Sequence, residues 1–201
     1  LARTGPATSL TMYDKGLSTV IGTNKDSAGK TLSNKTKYEF NRLRTWDQRS
    51  KSRNTATLSK AFTLLHGMKT KLGIPDNVVE NAAYIYRKAV GAKLTRGRTM
   101  ASLVSAALYA ACRENNIPRT LDDIAKGINI RRKDVARCYR LIFRELELKM
   151  PVVDPIKGVS RIASIAELSE KSKRKAISIL DQAKKIGIVA GKDPMGIAAA
   201  A

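Results

Sequence analysis

Ala82, Ile85, Ala89, Leu94 and Gly97 recur in the same order, without a gap, as Ala176, Ile179, Ala183, Ile188 and Gly191, each 94 residues further on. At the same offset Leu72 and Ile74 fall on Ala166 and Leu168, and Ala106-Ala107 on Ala200-Ala201. A fixed offset of domain length marks a tandem duplication, so the chain has to be built as two copies of one unit. The second copy stops inside its third helix and has no counterparts of the segments around Leu121 and Val135. It therefore reads as a fragment, cut at both ends.

The unit is legible in the first copy. Leu58, Ala61, Phe62, Leu65, Met68 and Leu72 follow the three-and-four spacing of one buried helical face starting near Thr57. Gly73-Ile74-Pro75 ends that helix and Asp76 is placed to cap the next, whose apolar stripe runs from Val78 to Val90. Met100 to Cys112 is apolar almost all round, which describes a helix surrounded by others. Thr99 can cap it, and Asn115-Asn116-Ile117-Pro118 stops it. Thr120 and Asp123 form a variant capping box for a short helix carrying Ile124 and Ala125, with Gly127 as the expected turn. A last helix buries Val135, Cys138, Tyr139, Ile142 and Leu146, with Arg131, Arg132, Lys133 and Arg137 at its start. The expectation is an all-α unit of five helices over 55–148, ending in a basic helix-turn-helix. An inter-repeat linker with two prolines follows over 149–155, and the incomplete second copy occupies 156–201.

Charge narrows the partners. Thirty-eight Lys and Arg against 17 Asp and Glu leave a formal charge of +21, which favours a polyanion, most commonly nucleic acid. No apolar run is long enough to span a bilayer. Cys112 and Cys138 have no zinc-ligand spacing and read as small core residues, and His66 is the single histidine. With no carboxylate pair, nucleophile–base set or metal cluster apparent, an enzyme is not expected.

Ahead of the repeats, residues 1–22 hold turns at Thr4-Gly5-Pro6 and Asp14-Lys15-Gly16 and a short apolar patch of Leu17, Val20 and Ile21. Residues 23–54 read as a flexible linker: first small and polar, then basic from Lys35 to Arg53, with Tyr38, Phe40, Leu43 and Trp46 interleaved among the charges. Gly29-Lys30-Thr31 is not a phosphate loop, because Asn24 stands where its first glycine is needed. The basic stretch is either a solvated tether or a segment lying on nucleic acid or a large partner, with Trp46 as anchor.

Several motifs together resemble the transcription factor B family of archaea, related to eukaryotic transcription factor IIB. They are Gly97 to Arg140, the Arg42-Leu43-Arg44-Thr45-Trp46 element, Gly191 to Ala201, and Asp14 to Gly22, which is similar to the segment the family calls the reader. The resemblance implies tandem cyclin-like repeats behind a largely extended reader and linker. It implies a general initiation factor without catalysis of its own, bringing together TATA-binding protein, promoter DNA and RNA polymerase. It implies a monomer in the archaeal cytoplasm, associated with the nucleoid. No zinc is expected, because the family's zinc ribbon would precede Leu1, and the upstream-element-reading helix-turn-helix would follow Ala201. Arg96, Gly97 and Arg98 match the loop that approaches DNA downstream of the TATA box, and Arg131, Arg132, Lys133 and Arg137 are candidate phosphate contacts. Arg3, Asp14, Lys15, Arg42, Arg44 and Trp46 are candidates for the polymerase and start-site segment. The alternatives are a cyclin-like protein-binding module and a gene-specific helix-turn-helix regulator.

Overall fold

The computed structural model describes residues 8–17, 21–22, 24–26, 28–50, 53–151 and 154–201. Among them are nine α-helices and no strand; the one β feature is an antiparallel bridge between Lys25 and Thr31. α1 spans Asn34–Ser50. The first repeat is α2 (Arg53–Leu72), α3 (Asp76–Gly91), α4 (Met100–Glu114), α5 (Leu121–Ile128) and α6 (Arg132–Glu145). The second is α7 (Pro155–Ile165), α8 (Glu170–Ile186) and α9 (Pro194–Ala200).

α4 is the axis of the first repeat and packs against α2, α3, α5 and α6. Every residue from Ser102 to Leu108 is buried, as are Ala110, Ala111 and Cys112, leaving Tyr109 as the partly open position on that stretch. Its alanines suit both the helix and the approach of four neighbours, since each adds no rotamer entropy and little bulk. Thr99 starts it by accepting a hydrogen bond from the Ser102 amide, as expected. Phe62 of α2 meets Tyr86 of α3 edge-on, with ring centroids 6.2 Å apart, inside the same core.

The duplication is written in the backbone as well as the side chains. Left-handed residues fall in pairs at the 94-residue offset: Gly73 and Glu167, Lys93 and Gly187, Gly97 and Gly191. The chain-reversing bonds repeat too, with Ile74 N to Lys69 O answered by Leu168 N to Ala163 O, and Leu94 N to Ala89 O by Ile188 N to Ala183 O. Asp193 caps α9 through the Gly196 amide as Thr99 caps α4. What differs is burial. Ile85 is 1% exposed but its counterpart Ile179 is 42% exposed, because α3 packs along the 15-residue α4 whereas α8 has only the 7-residue α9 in that place. The second core is reduced to Val159, Leu180 and Ala198 with their half-buried neighbours.

Four local expectations are corrected. The linker expected to be flexible and extended contains the 17-residue helix α1. α2 begins at Arg53 rather than near Thr57. Asp76 does not cap α3: Pro75 is the N-cap, and the Asp76 carboxylate instead pairs with Lys69. Gly127 lies inside α5, and the left-handed residue that ends the helix is Asn129, at φ 59°. Asparagine tolerates that conformation because its short polar side chain can hydrogen-bond locally.

The two repeats are joined through one carboxylate. Asp123 Oδ2 closes the α5 capping box, accepting from the Thr120 amide at 2.7 Å and the Thr120 hydroxyl at 2.6 Å. The same oxygen lies 2.7 Å from Nη2 of Arg161, a residue of α7, whose Nη1 donates to the Pro118 carbonyl, also at 2.7 Å.

Candidate nucleic-acid interface

The turn between α3 and α4 carries Arg96, Gly97 and Arg98, all exposed. Gly97 sits at φ 69°, and a Cβ built there would meet nothing within 4 Å. At the other two left-handed pairs one copy manages with Glu167 or Lys93, so a positive φ alone does not demand glycine here. Both copies keep glycine at 97 and 191, where the space beside the backbone is open to an approaching partner. Arg98 Nη1 donates to the carbonyls of Leu94 at 2.9 Å and Arg96 at 3.1 Å, which ties the guanidinium back over its own turn and fixes its position.

The start of α6 carries the second basic group. Burial raises the Cys138 thiol against the opposing charges of Arg98 and Arg137, and Arg137 is itself exposed. Arg131, the N-cap of α6, and Lys133 are exposed. Arg132 separates from this group: its Nε pairs with Asp122 Oδ2 at 3.4 Å, and it lines the cleft between the repeats. The seven predicted contact residues thus stay in the two groups expected, the turn and the start of α6, except that Arg132 is turned toward the cleft.

That cleft, about 570 Å³, was not foreseen. Its first-repeat wall is Tyr109, edge-on to Tyr139 at 4.8 Å, with Arg113 Nη1 donating to the Tyr139 hydroxyl at 2.9 Å. Arg113 Nε is buried there without a hydrogen-bond partner. Arg119 and Lys157 add positive charge, offset by Asp122, Asp154 and Asp193. At the joint with Asp123 and Pro118 the repeat offset sets Arg161 against Gly67, so that arginine belongs to the second copy alone.

The amino-terminal candidates divide as well. Asp14 Oδ1 accepts from the Gly16 amide at 3.0 Å around Lys15, which is left-handed at φ 60°, as the expected turn requires. Leu10 and Tyr13 pack on the first-repeat core. Arg87 of α3, which the sequence reading missed, holds this segment by donating to the carbonyls of Leu10, Met12 and Tyr13. Its guanidinium lies 4.9 Å from the Phe62 ring centre, and burial lowers its pKa against the opposing charge of Asp14. Arg44 is a structural residue, donating to Gly22 O at 2.7 Å and Asn24 Oδ1 at 2.8 Å, whereas Arg42 and Trp46 are exposed. Arg3, the Thr4-Gly5-Pro6 turn and Val20 lie outside the described residues.

The family model described as the transcription factor TFIIB repeat matches residues 54–145 and again 148–201. The chain belongs to the TFIIB repeat family. The two matches begin 94 residues apart, the offset of the internal repeat, and the break between them falls where α6 ends at Glu145. Each repeat of this family is a cyclin-like helical fold, here with five helices in the first copy and three in the second. A transcription initiation factor IIB of Methanothermococcus thermolithotrophicus is 46% identical over 203 residues, covering 100% of this chain and 60% of the relative. The corresponding proteins of Sulfurisphaera tokodaii and Pyrodictium occultum are 45% and 44% identical, again over 100% of this chain and over 66% and 65% of their own lengths. The chain thus spans roughly two thirds of the curated relatives it matches. Among the described residues no helix is long and apolar enough to cross a membrane, and no group of three or more His, Cys, Asp or Glu side chains is placed to hold a metal ion.

Proposed function

We propose that this chain is the promoter-gripping core of a general transcription initiation factor. It binds the complex of TATA-binding protein with promoter DNA and carries it to RNA polymerase for preinitiation complex assembly and start-site selection. The observation that carries this reading is the exposed Arg96-Gly97-Arg98 turn, open beside Gly97, together with the exposed basic start of α6, in a TFIIB repeat. Gly97 lets the backbone come close to DNA downstream of the TATA box, and Arg98, already oriented by its own turn, enters the minor groove there. Arg131, Lys133 and Arg137 meet phosphates, each contributing about 0.9 to the salt slope of binding. Residues 1–22 act as reader and 23–54 as linker, with Arg3, Asp14, Lys15, Arg42 and Trp46 in the polymerase and start-site segment. The repeats at 55–148 and 156–201, joined over 149–155, form the clamp. The factor works as a monomer in the cytoplasm of an archaeal cell, at the nucleoid, without catalysis or a cofactor within this chain.

A gel shift on TATA-containing DNA, with and without TATA-binding protein, tests the reading. A supershift that requires TATA-binding protein is expected. Arg98→Ala should weaken it by about 1–3 kcal/mol, most on promoters altered just downstream of the TATA box. Tight binding to one operator without TATA-binding protein would instead identify a gene-specific regulator.

A further inference from the structure

α1 has two unlike sides. No residue on it is buried, but Thr36, Lys37, Phe40, Arg44 and Asp47 are half-covered and share one side of the helix. Arg44 anchors that side to Gly22 and Asn24. At about 100° per residue the opposite side gathers Lys35, Tyr38, Arg42, Trp46 and Arg49 into an arc of roughly 80°. All five are exposed, Tyr38 by 73% and Trp46 by 56%. Arg49 lies over the Trp46 ring at 5.4 Å, and among the described residues neither Lys35, Arg42 nor Arg49 is in an ion pair.

The chemistry of this face selects its occupant. It holds two flat rings and three cations and no aliphatic side chain, since Leu43 points about 100° away from its centre. A helix that docks in a protein groove presents an aliphatic stripe instead. Rings beside unpaired cations fit a strand whose bases have free π faces and whose backbone is anionic. Duplex DNA hides those faces in its stack. Tyr38 and Trp46 are about 12 Å apart along the helix, too far to share one base step but suited to bases spaced along an extended strand.

We infer that the exposed face of α1 binds single-stranded nucleic acid, with Tyr38 and Trp46 stacking on bases and Lys35, Arg42 and Arg49 meeting phosphates. The inference deepens the promoter-binding reading and rests on it for the source of the strand, which promoter opening supplies.

Trp46 is the only tryptophan in the chain, so its intrinsic fluorescence reports this face alone. Titration of the whole chain with an oligo(dT) strand of roughly 20 nucleotides, longer than a single binding site, should quench it. A blunt-ended duplex of two strands, at concentrations where anisotropy shows it bound, should not. By anisotropy of labelled oligo(dT), Trp46→Leu and Tyr38→Leu should each weaken binding about tenfold, with helix content unchanged by circular dichroism. Trp46→Phe should recover most of the loss. Arg42→Gln should reduce the salt slope by about 0.7. Equal quenching by duplex, or a Tyr38→Leu/Trp46→Leu double variant that binds oligo(dT) as well as the parent, would overturn the inference. So would a double variant that loses RNA polymerase binding while keeping its affinity for oligo(dT). The gel shift with TATA-binding protein is read separately: its failure with quenching intact removes the promoter reading and leaves the strand-binding face standing.

Discussion

Asp123→Ala removes three contacts at once, because one carboxylate oxygen serves both the start of α5 and the joint between the repeats. Loss of the capping box costs about 1 kcal/mol. The contact with Arg161 is charge-assisted, and with side chains only 19% and 25% exposed it is poorly screened, so its loss costs a further ~1.5–3 kcal/mol. The variant should be destabilised by about 3 kcal/mol in urea at neutral pH. A double-mutant cycle with Arg161→Met, which keeps the aliphatic stem, isolates the inter-repeat part and should give a coupling of at least ~1.5 kcal/mol. The coupling should also depend on pH. Burial alone would raise the Asp123 pKa, but the hydrogen bonds from Thr120 and the contact with Arg161 together outweigh it and hold the carboxyl below its ordinary value. A group whose folded pKa is depressed stabilises fully above its unfolded value, near 3.9, and loses that contribution as pH falls through the folded one. The cycle should therefore give its full value at pH 6 and shrink below about pH 4. A coupling under about 0.5 kcal/mol at neutral pH, the level of independent sites, would refute the shared-carboxylate joint. So would a coupling that does not fall with acid.

Other consequences follow from the packing. Leu108→Ala, at a fully buried position on the axial helix, should cost about 2–5 kcal/mol by urea denaturation, and a cost under about 1 kcal/mol would show that α4 is not the core. Burial pushes the Cys112 thiol up to about 12 and raises that of Cys138. Neither should react with Ellman's reagent at pH 8 in the native chain, and both should react in urea; rapid native labelling would place one of them at the surface. Arg87→Met deletes the donor to three carbonyls of the amino-terminal segment, so trypsin should cut after exposed Lys15 several-fold faster, whereas an unchanged rate would deny Arg87 that anchoring role.

The duplication, the five-helix order of the first unit and the buried axis were legible because each is a matter of spacing along one chain. Apolar residues recurring three and four apart show which side of a helix is dry, and a constant offset of 94 shows which unit is copied. Thr99 and the Thr120–Asp123 box were equally readable, since a cap joins residues three apart. Composition misled in the linker. Basic, weakly hydrophobic residues suggested an extended tether, yet 17 of them form α1, tied through Arg44 to a turn some twenty residues earlier in the chain. The same limit applies to the charged residues. Arg98, Arg132 and Arg137 look alike in the sequence. Folding ties Arg98 over its turn, leaves Arg137 exposed on α6, and turns Arg132 to Asp122 and the cleft. Arg87 and Arg161 gave no local sign of the carbonyls and carboxylate they hold, which lie tens of residues away in sequence. Periodicity thus determined the helices and their dry faces, because burial of a helix face is a local pattern. The tertiary structure alone decided which cations are spent on the protein itself and which stay open to a partner, because that depends on groups brought together by the fold.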